Sequence, residues 1–319
     1  MTSTGPHAAS PSGAAPAPIG VALLGATGSI GKSALRVLAR QCDRFVPVAM
    51  TANSNLAGLA VAGDIVTRTA REHGAALVPV DSEHSAILQC LAGRQPHEVK
   101  RLILTASGGP FRTWPAEQIA RATRADALKH PTWQMGSKIT IDSATLANKA
   151  LEVIEAHHLF GVPYDRIDVV VHPQSIIHSF VEFVDGSVLA QMGVPSMELP
   201  ILYALTWPER VPDSGVSSFD PAASGGLTFE PVRHEQFPML GLGITAGRAG
   251  GAAPAVFNAA NEEAVACFLA GSLSFGGIAE RVAAALHDLA ALPGDSLDAL
   301  LAADAAAREH VKVRIAQES

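Results

Sequence analysis

A glycine-rich turn lies between a strand pattern and a helix pattern near the start of the chain. Residues 20–25 read as a short apolar strand, Gly25-Ala-Thr-Gly-Ser-Ile-Gly31 as a tight turn, and residues 32–40 as a helix. Glycines permit the turn, and the unpaired N–H groups of the helix start face an anion. A second strand pattern at 45–50 follows at the spacing of a β-α-β unit. This succession predicts an α/β fold with a phosphate-binding turn.

The same turn allows a second interpretation. Ala26-Thr-Gly-Ser-Ile-Gly-Lys-Ser33 fits a relaxed nucleotide-triphosphate loop, with Ala where the stricter pattern has Gly, and an incidental turn is a third alternative. An NAD site would place an acid after the second strand. Thr51-Ala-Asn-Ser-Asn55 has none, which favours NADP, although the basic residue that usually meets the extra phosphate is also missing.

Composition excludes several classes of protein. The 319 residues carry a net charge of −7, which argues against a nucleic-acid-binding surface. No apolar run has the length of a membrane span. Three scattered cysteines favour a reducing compartment. Residues 1–18 contain no Lys or Arg and match neither a secretory signal nor a transit peptide. We therefore expect a disordered leader on a cytoplasmic protein.

Two carboxylates follow the strand pattern at 75–80. In an extended segment Asp81 and Glu83 would point the same way at the carboxyl end of the strand, where open α/β sheets bind ligands. Carboxylates without a soft ligand suit Mg²⁺ or Mn²⁺ better than zinc. The alternative is structural, with Asp81 or Ser82 capping a helix.

Polar groups share one face of a helix predicted over 141–155. Asp142 and Ser143 read as its capping residues, and Asn148, Glu152 and Glu155 recur at i, i+4 and i+7. A hydroxyl at the helix start followed by Asn, Lys and Glu could hold an anion and a hard cation. A solvated amphipathic helix is the alternative.

Three further segments combine polar groups with turn residues. Ser107-Gly-Gly109 follows a buried-type strand pattern and could offer N–H and hydroxyl groups to a phosphate. His130-Pro-Thr-Trp133-Gln-Met-Gly136 has the composition of a lid. In His172-Pro-Gln-Ser-Ile-Ile-His178, we expect Ser175 and His178 on one side of a helical turn. The alternatives are an ordinary turn, a packed loop and core histidines.

Together these residues resemble the 1-deoxy-D-xylulose-5-phosphate reductoisomerase family. The ordered series covers nearly everything from residue 75 onward, and it is more specific than any glycine fingerprint. Its segments are Gly25–Gly31, Val80-Asp-Ser-Glu-His84, Leu104-Thr-Ala-Ser-Gly-Gly-Pro-Phe111, His130-Pro-Thr-Trp133, Lys138-Ile-Thr-Ile-Asp-Ser-Ala-Thr145, Asn148-Lys-Ala-Leu-Glu152, His172-Pro-Gln-Ser-Ile-Ile-His178, Asp185-Gly-Ser-Val-Leu-Ala-Gln-Met-Gly193, Leu227-Thr-Phe-Glu230 and Asn258-Ala-Ala-Asn-Glu262.

The resemblance implies NADPH-dependent rearrangement and reduction of a phospho-sugar by a homodimer that needs Mg²⁺ or Mn²⁺, with Co²⁺ as an alternative. It implies metal ligation by Asp81, Glu83 and Glu152, and phosphate binding by Ser107, Ser143, Asn148 and Lys149. It makes His130 and Trp133 closing groups of the pocket, and makes Ser82, Ser175 and His178 substrate contacts. The cofactor residues it implies are Gly25, Thr27, Gly28, Ser29, Ile30, Gly31, Asn53, Ser54, Asn55, Met135, Gly136 and Met192.

The chain departs from the family between Gly25 and Asp81, where roughly eighty residues of a complete doubly wound half-sheet are absent. We therefore expect an incomplete Rossmann-like dinucleotide domain, an α+β catalytic domain and a small C-terminal helical domain. A non-catalytic relative that binds metal and phospho-sugar but not NADPH is the alternative. The expected boundaries are 1–18 leader, 19–80 cofactor domain, 81–207 catalytic domain, 208–232 linker and 233–319 helical domain.

Overall fold

The computed structural model describes residues 18–24, 29–51, 58–130, 132, 133 and 135–318. Most of the leader, residues 1–17, lies outside this range, as do Gly25, Thr27, Gly28, Asn53, Ser54 and Asn55. Within the part of the chain that the structure describes, every helix is too short or too polar to cross a bilayer.

The secondary structure alternates between strands and helices in the first two thirds of the chain and is then helical. The strands are β1 (Ile19–Leu24), β2 (Phe45–Thr51), β3 (Val99–Ala106), β4 (Ile167–Val171), β5 (Ile177–Phe183), β6 (Val188–Met192) and β7 (Glu230–Pro231). The helices are α1 (Ser29–Arg40), α2 (Gly58–Glu72), α3 (Ser82–Leu91), α4 (Ala116–Ala120), α5 (Arg124–Ala127), α6 (Ser137–Thr145), α7 (Ala147–Phe160), α8 (Glu198–Thr206), α9 (Pro238–Ala249), α10 (Ala253–Ala270), α11 (Phe275–Leu289) and α12 (Leu297–Glu318).

The predicted β-α-β unit is present, but its sheet contains only two of the described strands. Strands β1 and β2 pair in parallel, and α1 connects them. Helix α1 packs Ala34 and Val37 against Ile201 and Leu202 of α8. Arg40 adds ion pairs to Glu198 (2.7 Å) and Asp213 (2.5 Å). The unit is therefore attached through the outer face of α1.

A second sheet forms the centre of the molecule, in the order β6-β5-β3-β4-β7. Strand β3 pairs in parallel with β4 and antiparallel with β5, and the remaining pairs are antiparallel. Leu102 and Leu104 of β3 are fully buried against Ile87 of α3 and Val153 of α7. These contacts bring α3 and α7, the two helices rich in carboxylates, to one side of the sheet.

The C-terminal helices share one hydrophobic core with α6 and α7. Helix α10 packs against α9, α11 and α12, and its Phe257 is fully buried with Ile154 of α7 and Leu240 of α9. Helix α2 packs on α7, α10 and α12, and Ala60 belongs to the same core. Helices α9 to α12 form the small C-terminal helical domain expected from the sequence.

Three local expectations were wrong. Residues 75–80 form no strand, and α3 begins at once after Asp81. The helix expected over 141–155 is two helices, because Leu146 adopts the left-handed conformation (φ 64°) between α6 and α7. Asp142 and Ser143 therefore lie inside α6 rather than capping a helix. A left-handed Leu costs about 1–2 kcal/mol, and burial of its side chain in the core offsets that cost.

Close packing of α9 on α7 and α10 predicts opposite effects for two glycines of α9. A Cβ at Gly243 would lie 2.4 Å from Ala150 Cβ and 2.9 Å from Phe257 Cζ, whereas nothing lies within 4 Å of one at Gly241. We expect Gly243→Ala to lower the free energy of unfolding by about 1–3 kcal/mol through overpacking. Gly241→Ala should raise it by about 0.5–1 kcal/mol through helix propensity. Urea unfolding of both variants measures the difference, and equal effects would contradict this packing.

Candidate active site and metal centre

A cavity of about 1030 Å³ lies between the central sheet, the α6–α7 pair and the C-terminal helices. It collects residues that are up to 278 positions apart in the sequence, from Ile30 to Arg308, because the end of β3, the starts of α3 and α7 and the loop before β5 all lie there. The predicted site residues that line it are Ile30, Asp81, Ser82, Glu83, Ser107, His130, Trp133, Met135, Ser143, Asn148, Lys149, Glu152, Ser175 and His178.

Three carboxylates meet at the start of α3. Asp81 is the N-cap residue and accepts a 2.7 Å hydrogen bond from the Ser82 amide, so the capping alternative and the carboxylate cluster are both realised. Glu83 lies in the first turn of the same helix, and Glu152 reaches them from the buried face of α7. One carboxylate oxygen from each lies within 4.8 Å of the other two. Three oxygen ligands at this spacing suit a hard divalent cation.

Electrostatics in this cluster favour a bound cation. The Lys149 ammonium lies 2.7 Å from Glu83 Oε1 and 2.5 Å from Glu152 Oε2. Burial acts to raise the pKa of Glu83, but Lys149 and the Ser82 hydroxyl outweigh it and lower that pKa to about 2. Burial and the neighbouring carboxylate Glu83 raise the pKa of Asp81 and of Glu152. One ammonium among three carboxylates, of which Glu152 is buried and Asp81 and Glu83 are partly buried, leaves an excess of negative charge, which a divalent cation would neutralise.

A second polar group forms a pocket from β3, the loop after α5 and α6. His130 Nε2 lies 3.0 Å from Ser107 Oγ and 3.1 Å from Ser143 Oγ. His130 Nδ1 accepts the backbone N–H groups of Thr132 and Trp133. Because Nδ1 accepts, a neutral His130 carries its proton on Nε2 and donates towards the two serines. Burial also lowers the pKa of His130, which favours that neutral form.

Backbone conformation brings the two serines of this pocket together. Gly108 and Gly109 have φ values of 82° and 65°, and a Cβ at Gly109 would lie 2.8 Å from the Ser143 carbonyl oxygen. The loop after β3 therefore approaches α6 as closely as only glycine allows. The left-handed Leu146 then starts α7, so Asn148 and Lys149 occupy its first turn, where free N–H groups favour anions.

Trp133 and His178 face each other across the cavity. Their ring centroids are 6.4 Å apart. Ser175 lies in a turn with φ 52°, and His178 belongs to strand β5, so the helical turn expected for these two residues is not present. Both nevertheless line the cavity. Burial lowers the pKa of His178, although the nearby Glu83 opposes this.

Glu155 shares the predicted polar face of α7 with Asn148 and Glu152 but is not among the metal and phosphate ligands that the resemblance implies, and the structure adds it to the site. It lines the same cavity, and its Oε2 lies 3.6 Å from Nδ1 of the buried His84. Burial raises the pKa of Glu155 to about 7. Asp81, His84 and Glu155 also offer three ligand atoms within 4.8 Å, so Asp81 is shared by two candidate groups. The i, i+4, i+7 spacing from Asn148 was the signal for this residue.

The described cofactor residues divide into two sets. Ile30 and Met135 line the cavity, whereas Ser29 and Gly31 lie on either side of Ile30 in α1. Gly136 is the N-cap of α6 and Met192 ends β6; neither lines the cavity. Six other predicted cofactor residues are among those outside the described range. The structure therefore brings only part of the predicted cofactor set to the cavity.

Sequence reasoning missed several charged groups on the cavity wall, namely Arg36, Lys138, Asp142, Glu262, Glu263 and Arg308. Glu262 and Arg308 come from the C-terminal helices and form a 2.6 Å ion pair. Their positions in Ala-rich helices resemble ordinary helix surfaces. No spacing rule connects them to α6, and only tertiary packing brings them there.

The fold and this cavity define an α/β protein that combines a carboxylate cluster with a serine-lined anion pocket. Three family models match: 1-deoxy-D-xylulose 5-phosphate reductoisomerase over residues 21–99, its C-terminal domain over 77–160, and a DXP reductoisomerase C-terminal domain over 192–310. The chain belongs to the 1-deoxy-D-xylulose 5-phosphate reductoisomerase family.

Individual relatives agree with that membership. The reductoisomerase of Thermosynechococcus vestitus is 53% identical over 261 residues, which cover 81% of this chain and 63% of that protein. The Gloeobacter violaceus enzyme is 51% identical over 90% of this chain and 72% of its own length. A solved DOX-P reductoisomerase in complex with NADPH, fosmidomycin and magnesium has a TM-score of 0.86 and 32% identity, covering 93% of this chain and 98% of that one. The chain thus spans about two thirds of these curated relatives.

Proposed function

We propose that this protein converts 1-deoxy-D-xylulose 5-phosphate to 2-C-methyl-D-erythritol 4-phosphate, with NADPH as reductant, in non-mevalonate isoprenoid biosynthesis. The observation that carries the proposal is the meeting of the Asp81–Glu83–Glu152 cluster and the Ser107–His130–Ser143 pocket in one cavity. A phospho-sugar needs both: a cation for its hydroxyl and carbonyl oxygens, and donors for its phosphate.

We assign the cation to Asp81, Glu83 and Glu152. The fit rests on three carboxylate ligands, one buried and two partly buried, and on their excess negative charge, which suit Mg²⁺ or Mn²⁺, with Co²⁺ as an alternative. When bound, such a cation supplies Lewis-acid stabilisation of negative charge on substrate oxygens. The Asn148 amide donates to Glu152 Oε1 and the Ser82 hydroxyl to Glu83 Oε2, so both hold carboxylates in position.

The remaining residues orient the substrate and exclude water. Ser107, Ser143 and the Nε2–H of His130 form the donors of the phosphate pocket, with Asn148 and Lys149 at the start of α7 beside them. Trp133 and His178, whose ring centroids are 6.4 Å apart, together form a part of the wall that covers the sugar, with Ser175. Holding both ends of a small substrate fixes the geometry in which its carbon skeleton rearranges.

We assign the NADPH end to the first β-α-β unit, since Ile30 of α1 and Met135 line the cavity. The cofactor supplies hydride to the rearranged aldehyde. The solved relative was crystallised with NADPH and magnesium together. The shortened sheet β1–β2 is the one observation that favours the second candidate, a relative that binds metal and phospho-sugar without NADPH.

Titration and turnover separate these two functions. We expect the purified protein to quench or shift NADPH fluorescence on binding, and to oxidise NADPH only when both the phospho-sugar and Mg²⁺ or Mn²⁺ are present. The control is NADH, which lacks the 2′-phosphate. Intact Mn²⁺ and phospho-sugar binding without NADPH binding would reject the enzyme and establish the second candidate.

A matched pair of variants tests the metal assignment. Glu152→Gln removes one of the three assigned ligands and should weaken Mn²⁺ binding by more than about 100-fold, beyond the 10–100-fold typical of outer-shell partners. Glu155→Gln, on the same face of α7, should weaken it by less than about 10-fold. Electron paramagnetic resonance counts free Mn²⁺. Equal losses of Mn²⁺ affinity in both variants would instead indicate that the cation binds nearer to the Asp81–His84–Glu155 group.

We also infer that the protein is a cytoplasmic homodimer. The three cysteines are free, in keeping with a reducing compartment. Strand β6 is the last described strand on its side of the central sheet, and it exposes Val188 (50%) and Leu189 (38%) beside Val184 (65%). Proteins normally cover such apolar edges, and a second copy would do so. The domain boundaries expected from the sequence remain part of this proposal.

The edge strand provides the test of that inference. Val188→Lys with Leu189→Lys puts charge on the exposed edge and should convert a dimer into a monomer in sedimentation equilibrium. The unchanged protein is the control. If the wild-type protein is a monomer, or if the double-lysine variant is still a dimer, β6 is not the dimer interface.

A further inference from the structure

A buried hydrogen bond joins the C-terminal helices to the wall of the phosphate pocket. Asn261 Nδ2 of α10 donates to Asp142 Oδ1 of α6 over 2.8 Å. Asn261 is fully buried and Asp142 is 1% exposed, although they are 119 residues apart in the sequence. Polar groups at this depth are placed only where a specific partner satisfies them.

Asp142 immediately precedes Ser143, whose hydroxyl lies 3.1 Å from His130 Nε2. On a helix, neighbouring residues point about 100° apart, so fixing the direction of one side chain fixes that of the next. Helix α6 has only nine residues and ends at the left-handed Leu146. The contact with Asn261 is therefore a directional, polar constraint on the rotation of this short helix about its axis, beside the apolar packing of Ile141 and Ala144.

The charge on Asp142 strengthens this constraint. Its other oxygen lies 2.7 Å from Lys138 Nζ, on the same helix. Burial raises the pKa of Asp142, and the Lys138 ammonium and the Asn261 amide oppose that change. A buried carboxylate deprived of either partner would turn towards solvent or take up a proton. Both responses would change the orientation of α6 at Ser143.

We propose that Asn261 is a positioning residue for phosphate binding: through Asp142 it holds the Ser143 hydroxyl towards His130 and Ser107. The C-terminal helical domain thereby takes part in the site without touching the phosphate. This inference rests on the proposed function, because it takes a phosphate group as the ligand of the Ser107–His130–Ser143 pocket.

Asn258 gives a matched comparison on the same helix. It is 2% exposed, and its amide donates to Glu262 of α10 itself over 3.3 Å. Its Oδ1 and that of Asn261 have no hydrogen-bond partner among the described residues. The two asparagines thus differ mainly in that Asn261 contacts α6.

The experiment compares Asn261→Ala, Asn258→Ala and the exchange Asp142→Asn with Asn261→Asp. The exchange keeps one carboxylate, one amide and one hydrogen bond, with donor and acceptor reversed. The readouts are the dissociation constants for inorganic phosphate and for Mn²⁺, the melting temperature, and KM and kcat for the phospho-sugar. Phosphate and Mn²⁺ binding require no turnover.

We expect Asn261→Ala to weaken phosphate binding and raise KM by about tenfold, with kcat and Mn²⁺ affinity within about threefold of the wild type. Asn258→Ala should leave the phosphate constant within about twofold even if it lowers the melting temperature equally. The exchange should recover phosphate binding to within about threefold of the wild type.

Three outcomes would overturn the inference. The first is equal loss of phosphate affinity in the two alanine variants, which would indicate a general packing effect. The second is an exchange variant that regains its melting temperature but not its phosphate affinity. The third is a wild-type protein that does not bind phosphate. A wild type that binds phosphate without turnover counts only against the proposed enzyme activity.

Discussion

The site depends on the grouping of Asp81, Glu83 and the buried Glu152 around a single buried ammonium, Lys149. Charges at this depth are stable only when the supporting backbone holds them in fixed positions. His84 provides one such support: its Nε2 lies 2.8 Å from the Glu152 carbonyl oxygen and joins α3 to α7. Because that oxygen can only accept, Nε2 carries the proton and Nδ1 faces Glu155. The candidate metal centre is thus built on the junction of two helices.

The two ends of the cavity are supported very differently. The carboxylate cluster and the Ser107–His130–Ser143 pocket pack on a continuous core that includes Ile154, Leu240 and Phe257 and extends into the C-terminal helices. The β1–α1–β2 unit is held by the small cluster between α1 and α8 and by the Arg40 ion pairs. Helix α2 packs on α7 and α10 and belongs to the large core. The shortening therefore affects mainly the cofactor end.

Local sequence patterns predicted the secondary structure correctly where the conformation of a segment depends mainly on its own residues. The strands predicted at 20–25 and 45–50 and the helix predicted at 32–40 are close to the observed β1, β2 and α1. The spacing of Asn148, Glu152 and Glu155 predicted a shared face, and all three line the cavity. Prediction failed where tertiary contacts override local preference: Leu146 is left-handed because the core buries it, and His178 lies on β5 because β3 pairs with that strand.

The sequence by itself determined the family, the residue types of the site and the absence of a full-length segment between Gly25 and Asp81. The residues of each motif are close together in the sequence, so the motifs and the chemistry of their side chains can be recognised before the fold is known. The tertiary structure decided that Glu155 faces the carboxylates, that Glu262 and Arg308 join the cavity wall, and that Asn261 reaches Asp142. The hydrogen bond from Asn261 to Asp142 joins residues 119 positions apart, and such contacts exist only because hydrophobic packing brings α6, α10 and α12 together.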